Sequence, residues 1–356
     1  MAKKGLLVLV LAGLVAGGVF ARGAADSRSP QSGNTITVRD DANRDVTVNL
    51  PVERVALLDS GLGTAMSALG VLDRIVGTHQ ALQTKLYGAA ANAPMIATYA
   101  EINYEALAGS RPQLVLSATS HHGYVSDSDH LDEFGIKYIA LDLRTPSKMR
   151  NDITILARLF QREEAGQRII AFYDKYQRII DQRLAAVPES SRPWVYLEMH
   201  AGPLHTGSSA SQFYQQVELA GGRNIARDLE DNALADDTEV SAEWVAQKNP
   251  DFIVREVSGL GYTANDIAPI KAIYDEIRAR PGFGTINAVR NGKLFLIGND
   301  IHSRPGYIVG VCYLAKSFYP ELFADFDIEA INKEWFAIAY PGYPLEGIWT
   351  YSESSE

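Results

Sequence analysis

Two stretches of this chain repeat one local pattern, and that repetition constrains the fold more than any other feature. Asn103-Tyr104-Glu105 leads through a short helix-forming stretch to Arg111-Pro112 and the apolar run Leu114-Val115-Leu116. Ser241-Ala242-Glu243 leads in the same way to Asn249-Pro250 and Phe252-Ile253-Val254. In each copy a helix-capping residue stands two before the Glu, and a Pro seven after it opens a strand. Leu69-Gly70 ahead of Ile75-Val76-Gly77, and Phe134-Gly135 ahead of Ile136-Lys137-Tyr138-Ile139, give a related helix–Gly–strand step. Strands alternating with helices form parallel βαβ units. The predicted class is therefore α/β, with two Rossmann-like lobes of mostly parallel sheet over 34–143 and 191–325. The first lobe opens on a hairpin, Thr35-Ile36-Thr37-Val38 against Val46-Thr47-Val48.

Residues 144–190 are predicted to link the lobes by a single long helix. From 147 to 187 there is no Pro and one Gly, Gly166, while Ile169, Phe172, Tyr173, Tyr176, Ile180 and Leu184 recur at helical spacing. A helix over 163–187 would span roughly 37 Å at about 1.5 Å per residue. Such a strut holds the lobes at a set separation around a ligand cleft and permits only modest closure. Residues 326–356 carry Trp335, Phe336, Tyr340, Tyr343 and Trp349, too aromatic a set for disorder, and are expected to pack back on a lobe.

Composition narrows the function. With 33 Lys+Arg against 43 Asp+Glu, the formal charge of −10 argues against a nucleic-acid binder, which needs a clustered basic surface. A single cysteine excludes an internal disulfide and a thiolate-built zinc site. Cys312 reads as a small buried hydrophobe within an apolar helical run. Lys3 and Lys4, an apolar run over 6–20 and small residues at Ala21 or Ala25 describe a signal peptide, 1–21, with cleavage alternatively after 25. A retained anchor is the other reading, and no lipobox cysteine is present. The chain carries no Walker-type loop, no G-x-S-x-G elbow and no H-E-x-x-H, which lowers the prior for an enzyme.

In open α/β sheets ligands bind beyond the carboxyl ends of the strands. Just past the predicted strands stand His79; His121, His122 and Tyr124; Arg144; His200 and His205; Arg255; and His302 and Arg304, with Tyr307 shortly after. Six of the seven histidines occupy such exits. Each histidine alone reads equally as a solvated or capping residue, and each arginine as the partner of a neighbouring acid. Together, imidazoles from two lobes favour a metal or metal chelate, with His121, His205 and His302 as candidate metal donors. Arg144, Arg255 and Arg304 offer planar bidentate donors for carboxylates on a chelate. Tyr124 and Tyr307 could stack on a planar ligand or donate a phenolate. Glu105 and Glu243 suit the positive ends of their helices, and their matched positions also suit docking on a two-fold partner bearing arginines.

At these residues the chain resembles the periplasmic substrate-binding proteins of the iron-chelate (siderophore or haem) and cobalamin ABC importers. The resemblance rests on Asn103-Tyr104-Glu105 with Pro112, Leu219-Ala220-Gly221-Gly222-Arg223-Asn224-Ile225, Ser241-Ala242-Glu243 with Pro250, and Leu314-Ala315-Lys316. It implies a monomeric, periplasmic, non-enzymatic protein that captures an iron complex or related transition-metal chelate, with no permanently bound cofactor. It also implies handover to an ABC permease dimer and its ATPase, with Glu105 and Glu243 as the lobe-tip docking glutamates. The histidines keep a nickel, cobalt or zinc ion, bare or chelated, as the alternative ligand. A metal-dependent enzyme in the same cleft is the rival from another class. The chain departs from the family pattern in lacking a lipobox cysteine and in its aromatic C-terminal extension.

Overall fold

Alternating apolar residues pair β1 (Thr35–Arg39) with β2 (Asp45–Asn49) as an antiparallel hairpin, Ile36 opposite Val48, with Ile36, Val38 and Val48 turned inward. The structure, a computed structural model, describes residues 34–98, 101–119, 128–208, 211–229 and 238–353. The signal segment, His121, His122 and Tyr124 lie outside the described residues. Beyond the hairpin, β3 (Val55–Leu57), β4 (Ile75–His79), β5 (Met95–Ala97), β6 (Leu114–Ser117) and β7 (Lys137–Ala140) form a parallel sheet in the order β5-β4-β3-β6-β7. Its central strands are buried throughout, as strands covered on both faces must be. The described helices of this lobe are α1 (Ser60–Leu69), α2 (Tyr104–Ser110) and α3 (Ser128–Glu133). Gly70 closes α1 in the left-handed conformation (φ 71°), where a Cβ would be strained.

The long helix expected over 163–187 is α5 (Glu163–Leu184), and a separate helix, α4 (Pro146–Leu159), precedes it in the linking segment. The break falls at Gln161, a non-glycine residue at φ 55°, and Arg162 N–H bonds Ala157 O at 2.7 Å across the turn. The two helices then pack against each other. A Cβ on Gly166 would come within 2.6 Å of that of Ala157, so the one glycine of the segment lets them meet. The long helix itself is 22 residues, and its inward face is the predicted stripe of Ile169, Phe172, Tyr173, Tyr176, Ile180 and Leu184.

The second sheet is also mostly parallel, with a different strand order. Its strands β8 (Trp194–Glu198), β10 (Arg223–Asn224), β12 (Phe252–Val257) and β13 (Leu294–Gly298) are parallel, in the order β10-β8-β12-β13. The short strands β9 (His205–Thr206) and β11 (Thr238–Glu239) form a separate antiparallel pair. Helices α6 (Gln212–Leu219), α7 (Ala242–Lys248), α8 (Ala268–Ala279), α9 (Asn287–Arg290), α10 (Asn299–His302) and α11 (Tyr307–Phe318) complete this half, with Cys312 fully buried on α11.

The C-terminal extension packs across both halves, which is wider than the expected docking on one lobe. Its helix α12 (Ile328–Ala339) sets Trp335 against Phe172 and Tyr173 of α5, with ring centroids 5.6 and 6.0 Å apart. Its strand β14 (Thr350–Tyr351) adds an antiparallel edge to β13. Between them, the Tyr340 hydroxyl bonds Thr64 Oγ1 of α1 at 2.9 Å.

Candidate ligand-binding site

A cleft of about 150 Å³ lies between the two lobes, lined by Ser60 and Tyr87 from the first, Ser258, Asp300 and Arg304 from the second, and Tyr340 from the extension. Strand exits build it. Past β3, Asp59 caps α1, with Oδ1 accepting the Gly61 N–H at 2.7 Å and Oδ2 accepting Arg144 Nη2 at 2.8 Å. Past β13, Arg304 pairs with Asp300 at 3.3 Å and donates across the cleft to the Ser60 hydroxyl. Arg304 therefore stands at the seam, whereas Arg144 is tied to Asp59 of the first lobe. A larger hollow of about 930 Å³ is lined only by the second half and the extension, including Lys316, Asn332 and Trp349, and no strand exit of the first lobe reaches it.

The phenols at the seam are neutral donors. Burial pushes the Tyr87 hydroxyl pKa up, and the Asp300 charge adds to that push. Burial and the neighbouring Tyr87 hold Tyr340 well above the usual range. Tyr307, expected at the ligand, is a core residue instead. It opens α11 with its ring 5.1 Å from that of Tyr173, and 1% of it is exposed.

The histidines take separate roles. His79 ends β4, is buried, and accepts the Ala81 N–H at Nδ1 (3.2 Å), so it caps the following turn. His200 and His302 meet one carboxylate: Glu256 Oε2 lies 2.5 Å from His200 Nδ1, and Oε1 lies 3.4 Å from His302 Nδ1. Burial pulls the Glu256 pKa up, but hydrogen bonds and charge from the two imidazoles outweigh it and hold the group well below the carboxylate range. His205 lies on β9, its carbonyl accepting the Met199 N–H at 2.8 Å. No group of three or more His, Cys, Asp or Glu side chains placed to hold a metal ion occurs among the described residues.

Arg255 is a correction to the expected set of ligand cations. The strand does not end at Val254 but continues to Val257, and Arg255 turns to Glu198 on β8 at 3.2 Å. It also donates to the carbonyls of Met199 and of Gly202 (2.8 Å), so it shapes the turn that carries His200. Sequence reading missed Glu198, Glu256, Tyr87 and Tyr340. For the two glutamates the available signal was an acid at the end of an apolar strand.

Glu105 and Glu243 are exposed at matched positions on α2 and α7. Asn103 caps one helix through the Ala106 N–H and Ser241 the other through the Trp244 N–H. Both helices end in a left-handed residue, Arg111 at φ 47° and Asn249 at φ 45°, directly before the strand-opening proline.

Two lobes built on mostly parallel sheets meet at this polar seam. The chain belongs to the periplasmic binding protein family, whose model matches residues 55–301. It is similar to the cobalamin-binding protein of Halobacterium salinarum, 27% identical over 71% of this chain and 67% of that one. It is also similar to the Fe(3+)-citrate-binding protein YfmC of Bacillus subtilis, 22% identical over 83% and 89% of the two chains. The solved molybdate-binding protein MolA of Haemophilus influenzae, bound to molybdate, superposes with a TM-score of 0.73 at 20% identity, over 88% of this chain and 99% of that one. Family and fold are those of extracytoplasmic substrate-binding proteins of ABC transporters, which brings a small-molecule ligand and a cognate transporter. No helix among the described residues is long and apolar enough to cross a membrane.

Proposed function

We propose that the chain binds an anionic metal chelate, an iron complex first among them, at the seam between its lobes and delivers it to an ABC importer. The observation that carries this reading is Arg304, a planar cation reaching from the second lobe to Ser60 of the first, flanked by the neutral donor hydroxyls of Tyr87 and Tyr340. One guanidinium from the second lobe, with phenol donors from the first lobe and the extension, suits a peripheral carboxylate of a chelate. The cobalamin and ferric-citrate relatives add support, since both names describe metal chelates. A small oxyanion such as molybdate is the second reading. The cleft volume of about 150 Å³ favours it, since drug-sized ligands occupy roughly 300–1,000 Å³. On the chelate reading the lobes open further before capture.

Thermal unfolding with ferric citrate, a ferric siderophore, hemin, aquocobalamin or molybdate decides between them. A ligand at a hundredfold excess over its dissociation constant stabilises by about 2.7 kcal/mol. We expect a metal chelate to raise the melting temperature and Arg304→Ala to abolish most of the rise. A rise with molybdate alone favours the oxyanion, and flat melting with all five overturns both readings. In the same proposal Glu105 and Glu243 dock the permease. Glu105→Ala/Glu243→Ala should leave ligand affinity within about twofold while stopping uptake, because exposed lobe-tip acids act through association with a charged partner. Undiminished uptake would remove the docking role.

A further inference from the structure

Two cations border the seam, and each is already held by an acid. Arg304 lies 3.3 Å from Asp300, with its side chain 19% exposed. Lys85 Nζ lies 3.4 Å from Glu346 Oε2, and its side chain is 64% exposed. Lys85 opens the short first-lobe helix Lys85–Asn92, between Thr84 and Leu86, which both line the cleft. Its ammonium also sits 4.8 Å from the centre of the Tyr262 ring, and Tyr262 lines the cleft from the second lobe. Glu346 belongs to the extension, just ahead of a stretch fastened to that lobe: Ile348 O accepts the Gly261 N–H at 2.7 Å, and Ile348 N–H bonds Ala264 O at 3.1 Å. Lys85 thus reaches from the first lobe across the rim of the cleft to two partners fixed on the other side.

We propose that Lys85 is a specificity-determining residue for anionic ligands, and that Glu346 is the internal anion a ligand displaces from it. The inference rests on the reading above that an anion binds at the seam, and adds a cation from the opposite lobe to Arg304. The Lys85–Glu346 pair is suited to exchange because both side chains are more than half exposed, and water screens such pairs until they contribute little. A ligand carboxylate or oxyanion between the lobes offers the same ammonium a charge-assisted hydrogen bond with less water around it. The face of the Tyr262 ring attracts the ammonium whichever anion it meets, and so keeps it at the rim while it changes partner. A hydrogen bond to Tyr262 and the charge of Glu346 raise the Lys85 pKa, so the group meets the ligand charged. The same pair ties the first lobe to the extension. Giving it up loosens the mouth, as entry of a chelate larger than the cleft of about 150 Å³ requires.

The test uses the full chain and measures affinity by titration calorimetry for ferric citrate, hemin and molybdate, all carriers of negative charge. Both side chains are exposed, so neither substitution opens the core. Lys85→Met, which keeps the stem over Tyr262, should weaken whichever anion binds by about threefold or more, and Lys85→Arg should retain most of the affinity. Glu346→Gln should act in the opposite direction and tighten binding by about two- to fivefold, the range an exposed ion pair supplies. In the double variant Lys85→Met/Glu346→Gln that gain should vanish, because the competing acid acts only through the ammonium. Unchanged affinity in Lys85→Met, no tightening in Glu346→Gln, or a gain that survives in the double variant overturns this proposal and leaves the seam reading standing. If none of the three anions binds the wild type, the seam reading falls and the role of Lys85 with it.

Discussion

The second lobe and the linking segment each bury an acid, and they do so in opposite ways. In the second lobe, Glu198 is fully buried yet accepts from Arg280 Nη2 at 2.9 Å, from the Tyr196 hydroxyl at 3.2 Å and from the Leu204 N–H at 3.1 Å, with Arg255 alongside. In the linking segment, Asp152 on α4 is equally buried but stands beside Asp41 and Asp142. Lys148 lies 3.6 Å from Asp142 and 4.0 Å from Asp41, so the nearby cation serves those two acids. Burial, followed by the charge and hydrogen bond of Asp41, raises the Asp152 pKa to about 8. The outer helices, by contrast, match in cap, length and left-handed terminus. The repeated outer helices were kept, while the surroundings of these two buried acids differ.

The largest expected effect tests the paired acid. Glu198→Ala leaves two guanidiniums without their acid in a low-dielectric interior, and breaking such a buried arrangement typically costs about 3–5 kcal/mol. The denaturation midpoint should fall accordingly, with the turn at 199–202 loosened because Arg255 loses its anchor. A loss below about 1 kcal/mol would mean that water already relaxes these charges, and the contrast between Glu198 and Asp152 would disappear.

The parts legible in sequence were those punctuated locally. Gly70 and Gly135 at positive φ, and the prolines after Arg111 and Asn249, mark element ends through backbone sterics alone, so the strand–helix rhythm could be read directly. The break at Gln161 had no such mark, because a glutamine forced to φ 55° is set by how α4 and α5 pack, not by its own preference. Arg255 was misread for a related reason. A charged residue after three apolar ones resembles a strand exit, but partners supplied by the neighbouring strand and the turn after it keep this one inside the sheet. Glu256 and Glu198 carried only the weak signal of an acid at the end of an apolar strand, because their partners are distant in sequence: His200 for one, Arg280 for the other. Tyr340 reaches the seam only because the extension crosses both halves.

The smaller expected effect tests the unpaired acid, Asp152, and changes with pH. An aspartate has a pKa near 3.9 when unfolded, whereas folded Asp152 titrates at about 8. Between those values the folded state holds a proton that the unfolded state releases. Stability from this group is therefore greatest below about pH 4 and is lost progressively as pH rises to about 8. Asp152→Asn removes the titration, and its amide can donate to Asp41 as the protonated acid does. The variant should melt above the wild type at pH 8.5, and the difference should shrink toward zero at pH 4. A difference independent of pH would mean that Asp152 is already ionised in the folded protein, and the three aspartates would then have to be balanced by a cation on this side as well.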